Sequence, residues 1–309
     1  MAGLLSELSN QAGAGSLIGF INLNKLPGQS SRDAVNAVQK LVRPAKVGHC
    51  GTLDPLATGV LVVCVGPATR LTNLVQEASK TYVGSFRLGV SSETEDIEGR
   101  LEPLADAPVI TAAQIEAVLP KFSGEIQQMP PKFSALKING KRAYDLARQG
   151  KEVKLQPRLI QVYSLRLTAF DYPNFQLEIE CGTGTYVRSL GRDIGACVGS
   201  AAIMTALERT AIGSFSIGEA VNPDDLDAGN VAQHLLPVDH CLQGVERVVL
   251  GDDQALGLLD AKPVNLPDYA GSERLVAMDG QGRVLAILLR REAGFFTPKI
   301  NFSRYWNDG

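Results

Sequence analysis

The sequence predicts an α+β fold, on three observations. Apolar side chains recur at every second position over residues 82–90, 163–169 and 175–181, the period of a strand with one buried face. They recur instead at helical spacing after Ser30 or Ser31 and again after Thr111. Short turn-forming gaps at 171–174 and 279–282 join neighbouring alternating runs, as antiparallel hairpins require.

Taken in order, residues 15–23 read as an apolar opening strand. Pro27-Gly28-Gln29-Ser30-Ser31 turns into a helix capped by Ser30 or Ser31, with Ala34, Val35, Val38, Leu41 and Val42 on its buried stripe and an end near Pro44. A Gly-, Thr- and Pro-rich loop, 48–59, feeds the continuous apolar run 60–65, which reads as a buried strand. Strand 82–90 sets Tyr82, Phe86, Leu88 and Val90 on one face, with Gly84 between them. The acidic stretch holding Glu93, Glu95, Asp96 and Glu98 reads as a loop. Thr111 and Gln114 form a capping box for a helix whose stripe is Ile115, Val118, Leu119 and Phe122. Met129-Pro130-Pro131 breaks the chain, and the basic, Gly-punctuated segment 132–154 is not expected to enter a core throughout. Tyr163, Leu165, Leu167 and Ala169 share one strand face, and Phe175, Leu177, Ile179 and Cys181 share another. Gly182-Thr183-Gly184-Thr185 then opens a helix with Tyr186, Val187, Leu190 and Ile194 inward. Composition shifts near 243–246, after which 274–278 and 283–289 flank the turn Asp279-Gly280-Gln281-Gly282 in a small strand-rich unit. The expected division is an N-terminal extension (1–15), a large domain (16–244) and a small module (245–309).

Composition narrows the function. A hydrophobic share of 45% over 309 residues is that of a globular protein, and no apolar run approaches the roughly 20 residues that span a bilayer. The first residues carry Glu7 and no basic run, so they do not read as a signal peptide, and a cytoplasmic location is expected. Five cysteines without a Cys-x-x-Cys pair read as reduced thiols. With three scattered histidines they suggest no zinc site, so no metal is expected. Net charge is −3, yet residues 121–170 hold ten lysines and arginines against three acids. Such a patch is either a solvated surface or a local site for a polyanion, since screening confines its field to about 10 Å.

The stretch Gly48-His49-Cys50-Gly51-Thr52-Leu53-Asp54-Pro55-Leu56-Ala57-Thr58-Gly59 carries the most information. Chemically, Asp54 there is either a turn-former or a working carboxylate. The string resembles the catalytic loop of the bacterial tRNA pseudouridine-55 synthases, the TruB family, whose pattern Gly-His-x-Gly-x-Leu-Asp-Pro-x-Ala-x-Gly-x-Leu it fills at every fixed position through Leu61. Two further blocks agree: Pro130-Pro131-Lys132-Phe133-Ser134-Ala135-Leu136-Lys137-Ile138-Asn139-Gly140-Lys141-Arg142-Ala143-Tyr144, and Gly184-Thr185-Tyr186-Val187-Arg188.

The resemblance implies a mixed, mostly antiparallel sheet with flanking helices, followed by a small β-barrel similar to the PUA domain. It implies isomerisation of uridine 55 in the tRNA T loop, with Asp54 as nucleophile toward a flipped-out uridine. Carboxylates serve at sugar carbons because they stabilise an oxocarbenium-like centre and can leave again. Attack at C1′, addition at C6 and a glycal route all stay open. No redox change occurs, so no cofactor is expected. Arg188 is implied as the partner of Asp54, its alternative being a surface helix arginine. Tyr82 is implied against the uracil as platform and proton acceptor, its alternative an ordinary core tyrosine. Leu207 belongs to the implied base pocket, Tyr186 is implied as a substrate- or RNA-binding residue, His49 belongs to RNA loop opening, and Arg70 to a position near phosphate or the active site. Lys132, Lys137 and Arg142 are implied phosphate contacts on a mobile segment, 130–156, that closes over the T arm. The expected partner is tRNA, with no membrane and no obligate protein partner, the chain acting as a monomer. The competing readings are an RNA-binding protein acting mainly as a tRNA chaperone, a glycoside hydrolase, which needs two motif acids, and the catalytic subunit of a guide-RNA complex.

Overall fold

In this computed structural model the described residues are 17–134 and 155–306, with the backbone of 137–138 and 141–142. The expected N-terminal extension and most of the basic segment lie outside them. The strands are β1 (Gly19–Lys25), β2 (Val47–His49), β3 (Thr58–Val65), β4 (Lys80–Leu88), β5 (Val90–Ser92), β6 (Leu101–Pro103), β7 (Gly124–Gln128), β8 (Lys137–Ile138), β9 (Lys141–Arg142), β10 (Arg158–Asp171), β11 (Asn174–Cys181), β12 (Ala202–Ile212), β13 (Phe215–Ser216), β14 (Arg247–Val249), β15 (Val264–Asn265), β16 (Arg274–Met278), β17 (Val284–Glu292) and β18 (Phe295–Asn301). The α-helices are α1 (Ser31–Leu41), α2 (Thr72–Glu77), α3 (Ala112–Val118), α4 (Val187–Cys197) and α5 (Asp252–Leu259). Among the described residues no helix is long and apolar enough to cross a membrane.

The main sheet runs β1-β3-β12-β4-β11-β10-β7, with β13 on β12 and β2 on β3. Its pairings are antiparallel except β12 with β3. This is the expected mixed, mostly antiparallel α+β architecture. Strand β3 shows no polar alternation because both its faces are covered. Leu61, Val63 and Val65 meet Ala34, Val35 and Val38 of α1, while Val60, Val62 and Cys64 enter a second core with Phe20 and Phe215. Helix α1 starts where the sequence marks it. Ser30 Oγ accepts from Asp33 N, and the Asp33 carboxylate accepts from Ser30 N.

Strands β4 and β11 bury Phe86, Leu88, Phe175, Leu177 and Ile179 in the core that seats α4. A Cβ on Gly191 would lie 2.3 Å from the Phe86 ring, so glycine there lets the helix lie against the sheet. Helix α4 is buried around most of its circumference, including Arg188, Ser189 and Gly195, and not along one stripe as expected.

Tyr163 departs from the expected alternation. The register of β10 against β11 shifts between Val162 and Ser164, so the bulge turns Tyr163 outward at 56% exposure. A second shift between Leu167 and Ala169 leaves Ala169 exposed and returns Phe170 to the core side.

The C-terminal strands form a second sheet, β14-β16-β17-β18-β15, the small strand-rich unit expected there. Asp279 closes its hairpin, accepting from Gln281 N and Arg283 N. The residues of β16 and β17 divide between two faces. Leu275, Ala277 and Leu288 pack with Leu258 of α5 and Phe296. Val276, Val284 and Ile287 join Phe20, Val62 and Phe215 of the main sheet in one core.

Candidate active site

The loop between β2 and β3 is pinned from below. Ser31 Oγ, at the start of α1, accepts from Leu53 N at 2.9 Å and donates to Leu53 O at 3.1 Å. The fully buried Lys25 donates from Nζ to Leu26 O at 2.9 Å, Gln29 O at 2.7 Å and Pro55 O at 3.3 Å. Burial pulls the Lys25 pKa down to about 8, against the opposing pull of the Asp54 charge. Gly59 has φ +94°, and a Cβ there would lie 2.3 Å from Arg209 O.

The turn at Asp54 is made by its backbone, Asp54 O accepting from Ala57 N at 3.0 Å. The side chain is thereby left for other work. Its Oδ2 lies 3.1 Å from Arg188 Nη2, with the Asp54 side chain 39% exposed and Arg188 8% exposed. The carboxylate is therefore open on one side, and its cation is sealed on the other.

Arg188 belongs to the first turn of α4, and its partners fix it. Nη2 donates to Phe133 O at 3.1 Å, while Nη1 donates to Thr94 O at 2.8 Å and to Asp96 Oδ2 at 3.2 Å. Asp96 is 2% exposed. Its Oδ1 accepts from Thr94 Oγ1 at 2.6 Å and from Glu98 N at 3.0 Å. One guanidinium thus joins an open carboxylate to a buried one. Next to Asp96, Glu95 accepts from Ser189 Oγ at 2.6 Å and pairs with Arg192 one turn further along α4. Burial raises the Glu95 pKa. In sequence, Glu95 and Asp96 read as loop acids. The available signal was the spacing of Arg188 and Arg192, four residues apart on one helix, which asks for two acids.

A cavity of about 240 Å³ opens at Asp54, lined by Thr52, Leu53, Tyr82, Ser134, Gly184, Thr185, Tyr186, Val187, Arg188 and Leu207. Gln128 holds one wall, accepting from Tyr186 N at 2.9 Å and donating to Tyr186 O at 3.0 Å. Burial raises the Tyr82 pKa, the neighbouring Arg209 charge opposing it. A larger cavity, about 860 Å³, opens around Arg192, Glu95 and Lys132 but does not include Asp54.

Of the residues singled out by sequence, Asp54, Tyr82, Tyr186, Arg188 and Leu207 converge on the smaller cavity. His49 does not line it; it lies on β2, with its Nδ1 buried and without a partner among the described residues. Arg70 does not reach it either. Arg70 Nη1 donates to Asn301 O at 2.9 Å and the guanidinium lies over the Tyr305 ring, at the junction with the C-terminal sheet. Lys132 lines the larger cavity. Lys137 and Arg142 face each other across β8 and β9, and their side chains lie outside the described residues.

Residues 39–187 match the family model of the TruB family pseudouridylate synthase N-terminal domain. Among curated relatives, tRNA pseudouridine synthase B of Dechloromonas aromatica is 38% identical over 285 residues, covering 91% of this chain and 94% of the relative. The chain belongs to the TruB family. The enzyme of the same name from Clostridium kluyveri is 38% identical over 242 residues, 78% of this chain and 83% of that one. As a TruB family member the protein is a pseudouridylate synthase. Two solved structures share the fold. A Cbf5-Nop10-Gar1 complex matches with TM-score 0.69 at 24% identity, covering 89% of this chain and 79% of that one. An H/ACA RNP bound to a substrate RNA containing 2'-deoxyuridine matches with TM-score 0.71 at 21% identity, covering 93% and 86%.

Proposed function

We propose that this TruB family enzyme converts uridine 55 in the T loop of tRNA to pseudouridine, with Asp54 as the nucleophile. The observation that carries the reading is the half-open Asp54 carboxylate, ion-paired to buried Arg188 in a cavity that Tyr82 and Leu207 also line. The guanidinium holds and orients the carboxylate while one side of it stays free for substrate. A uridine in folded RNA leaves its stack to reach that carboxylate, and an aromatic ring and a leucine are the surfaces a detached base needs. Asp54 acts at C1′ or C6 as the N1–C1′ bond breaks. The base turns, the C5–C1′ bond forms, and the proton on C5 leaves to the Tyr82 oxygen. Reactant and product are isomers, so the electrons balance without a redox partner. The relatives, named tRNA pseudouridine synthase B, support tRNA as the substrate.

The test uses a tRNA transcript tritiated at C5 of its uridines. Wild type releases one tritium per tRNA from position 55, and Asp54→Asn releases none while still binding. Full release by Asp54→Asn refutes the nucleophile, and release from another uridine refutes the site.

A further inference from the structure

Arg209 is among the largest fully buried side chains, 2% exposed. No carboxylate lies within ion-pairing distance of it among the described residues. A buried guanidinium keeps its charge and is costly to leave uncompensated. What surrounds it are oxygen atoms. Its Nε donates to Val60 O at 2.8 Å and its Nη2 to Gly51 O at 3.1 Å, three residues before Asp54. Its cross-strand neighbour, where β12 meets β4, is Tyr82. Leu207, two residues earlier on the same face of β12, lines the cavity with Tyr82, whereas Arg209 does not reach it.

Resting on the reading above, we propose that Arg209 is a positioning residue for Tyr82: its guanidinium aims the phenol oxygen at the uracil and stabilises negative charge there while that oxygen takes the C5 proton. In that step the C5–H bond breaks, its electron pair forms the C5–C6 double bond, the N1–C6 π pair moves onto N1, and N1 takes a proton from water. The proton goes to the Tyr82 oxygen, which passes its own proton to water. The charged or titratable groups facing Tyr82 are Asp54 from the loop, Cys181 from β11 and Arg209 from β12. Burial and the Asp54 charge disfavour a phenolate, while Cys181, its own thiol pushed up to about 11 by burial, faces it uncharged. Arg209, its cross-strand neighbour, favours it through its positive charge. Without Arg209, burial and the Asp54 charge oppose the proton transfer unaided.

A purely architectural Arg209, tying β3, β12 and the loop together, would slow every step alike. The two roles separate with T-arm RNA carrying uridine, 5-deuterouridine or 5-fluorouridine at the target, in single turnovers with wild type, Arg209→Gln and Arg209→Lys. The fluorinated base has no C5 proton to lose, so its conversion to a rearranged adduct reports only the steps before proton removal. Arg209→Gln is expected to convert uridine about a hundredfold more slowly. It should react with 5-fluorouridine RNA near the wild-type rate and show a larger deuterium isotope effect than wild type. Arg209→Lys, which keeps the charge but not the fork, recovers part of the loss. Equal slowing on uridine and 5-fluorouridine, or an unchanged isotope effect, overturns the proposal. Should Arg209→Gln fail to fold, the same comparison on Arg209→Lys decides, because a lysine cannot serve two carbonyls and the phenol together. A wild-type protein inert toward all three RNAs would instead refute the proposed function.

Discussion

Replacing each carboxylate of the Asp54–Arg188–Asp96 chain by its amide, one at a time, should separate stability from catalysis. The Asp54 side chain is 39% exposed, so water screens its ion pair, and such a pair is worth about 0–1 kcal/mol. Arg188 also keeps Asp96 when Asp54 is amidated. Asp54→Asn is therefore expected to leave the unfolding midpoint within about 2 °C of wild type while abolishing tritium release. Asp96 is 2% exposed and sits between Arg188, Thr94 Oγ1 and Glu98 N. An asparagine there keeps shape and one good acceptor but leaves a buried guanidinium short of a charge, a loss of about 3 kcal/mol. In a chain of this size that lowers the midpoint by about 6 °C. Arg188 then loses one of the two anions that hold it, and a drift of about 1 Å in its position would cost roughly a hundredfold in kcat. KM for the RNA should stay near wild type, because Asp96 lies behind the cavity. Differential scanning calorimetry and steady-state tritium release measure both effects. The reasoning fails if Asp54→Asn is the less stable variant, or if Asp96→Asn loses activity through KM alone.

Between pH 8 and 10.5 the unfolded chain holds a proton on Lys25 that the folded chain has released, so the stability owed to this residue rises with pH across that window; the wild-type gain in denaturant midpoint there should be larger than that of Lys25→Met. Gly59→Ala must force a Cβ against Arg209 O at φ +94° and should cost about 3 kcal/mol or more, measured by urea unfolding. Gln128→Leu strands both backbone groups of Tyr186 and should cost about 1–3 kcal/mol, with a fall in kcat as the cavity wall loosens. If the basic middle segment docks tRNA, affinity should drop steeply between 50 and 200 mM salt, about tenfold or more, by filter binding; a flat response would remove that segment from the docking surface.

Much of the scaffold was legible because local chemistry decided it. Ser30 and Thr111 cap their helices through the boxes their neighbours spell out, and the Asp171–Asn174 gap became the turn between β10 and β11. Tyr163 was misread because a bulge adds one residue to a strand, and nothing in a period-two pattern announces where the phase slips. In the site, the motif residues Asp54, Tyr82, Tyr186, Arg188 and Leu207 were legible and meet. Asp96, Glu95, Gln128 and Arg209 were not. Each is held by a contact spanning dozens of residues, which no local pattern in the sequence displays. Arg70 shows the converse. Its motif neighbourhood suggested a place near phosphate or the active site; it lies away from the cavity, where the packing of two sheets carries it to Asn301 and Tyr305.

Because Val276, Val284 and Ile287 share one apolar interior with Phe20, Val62 and Phe215, cutting the chain before β14 would strip a wall from the half that holds Asp54. Heating should accordingly melt both sheets in a single calorimetric peak. A long RNA would then meet one rigid platform whose two ends cannot adjust their spacing independently.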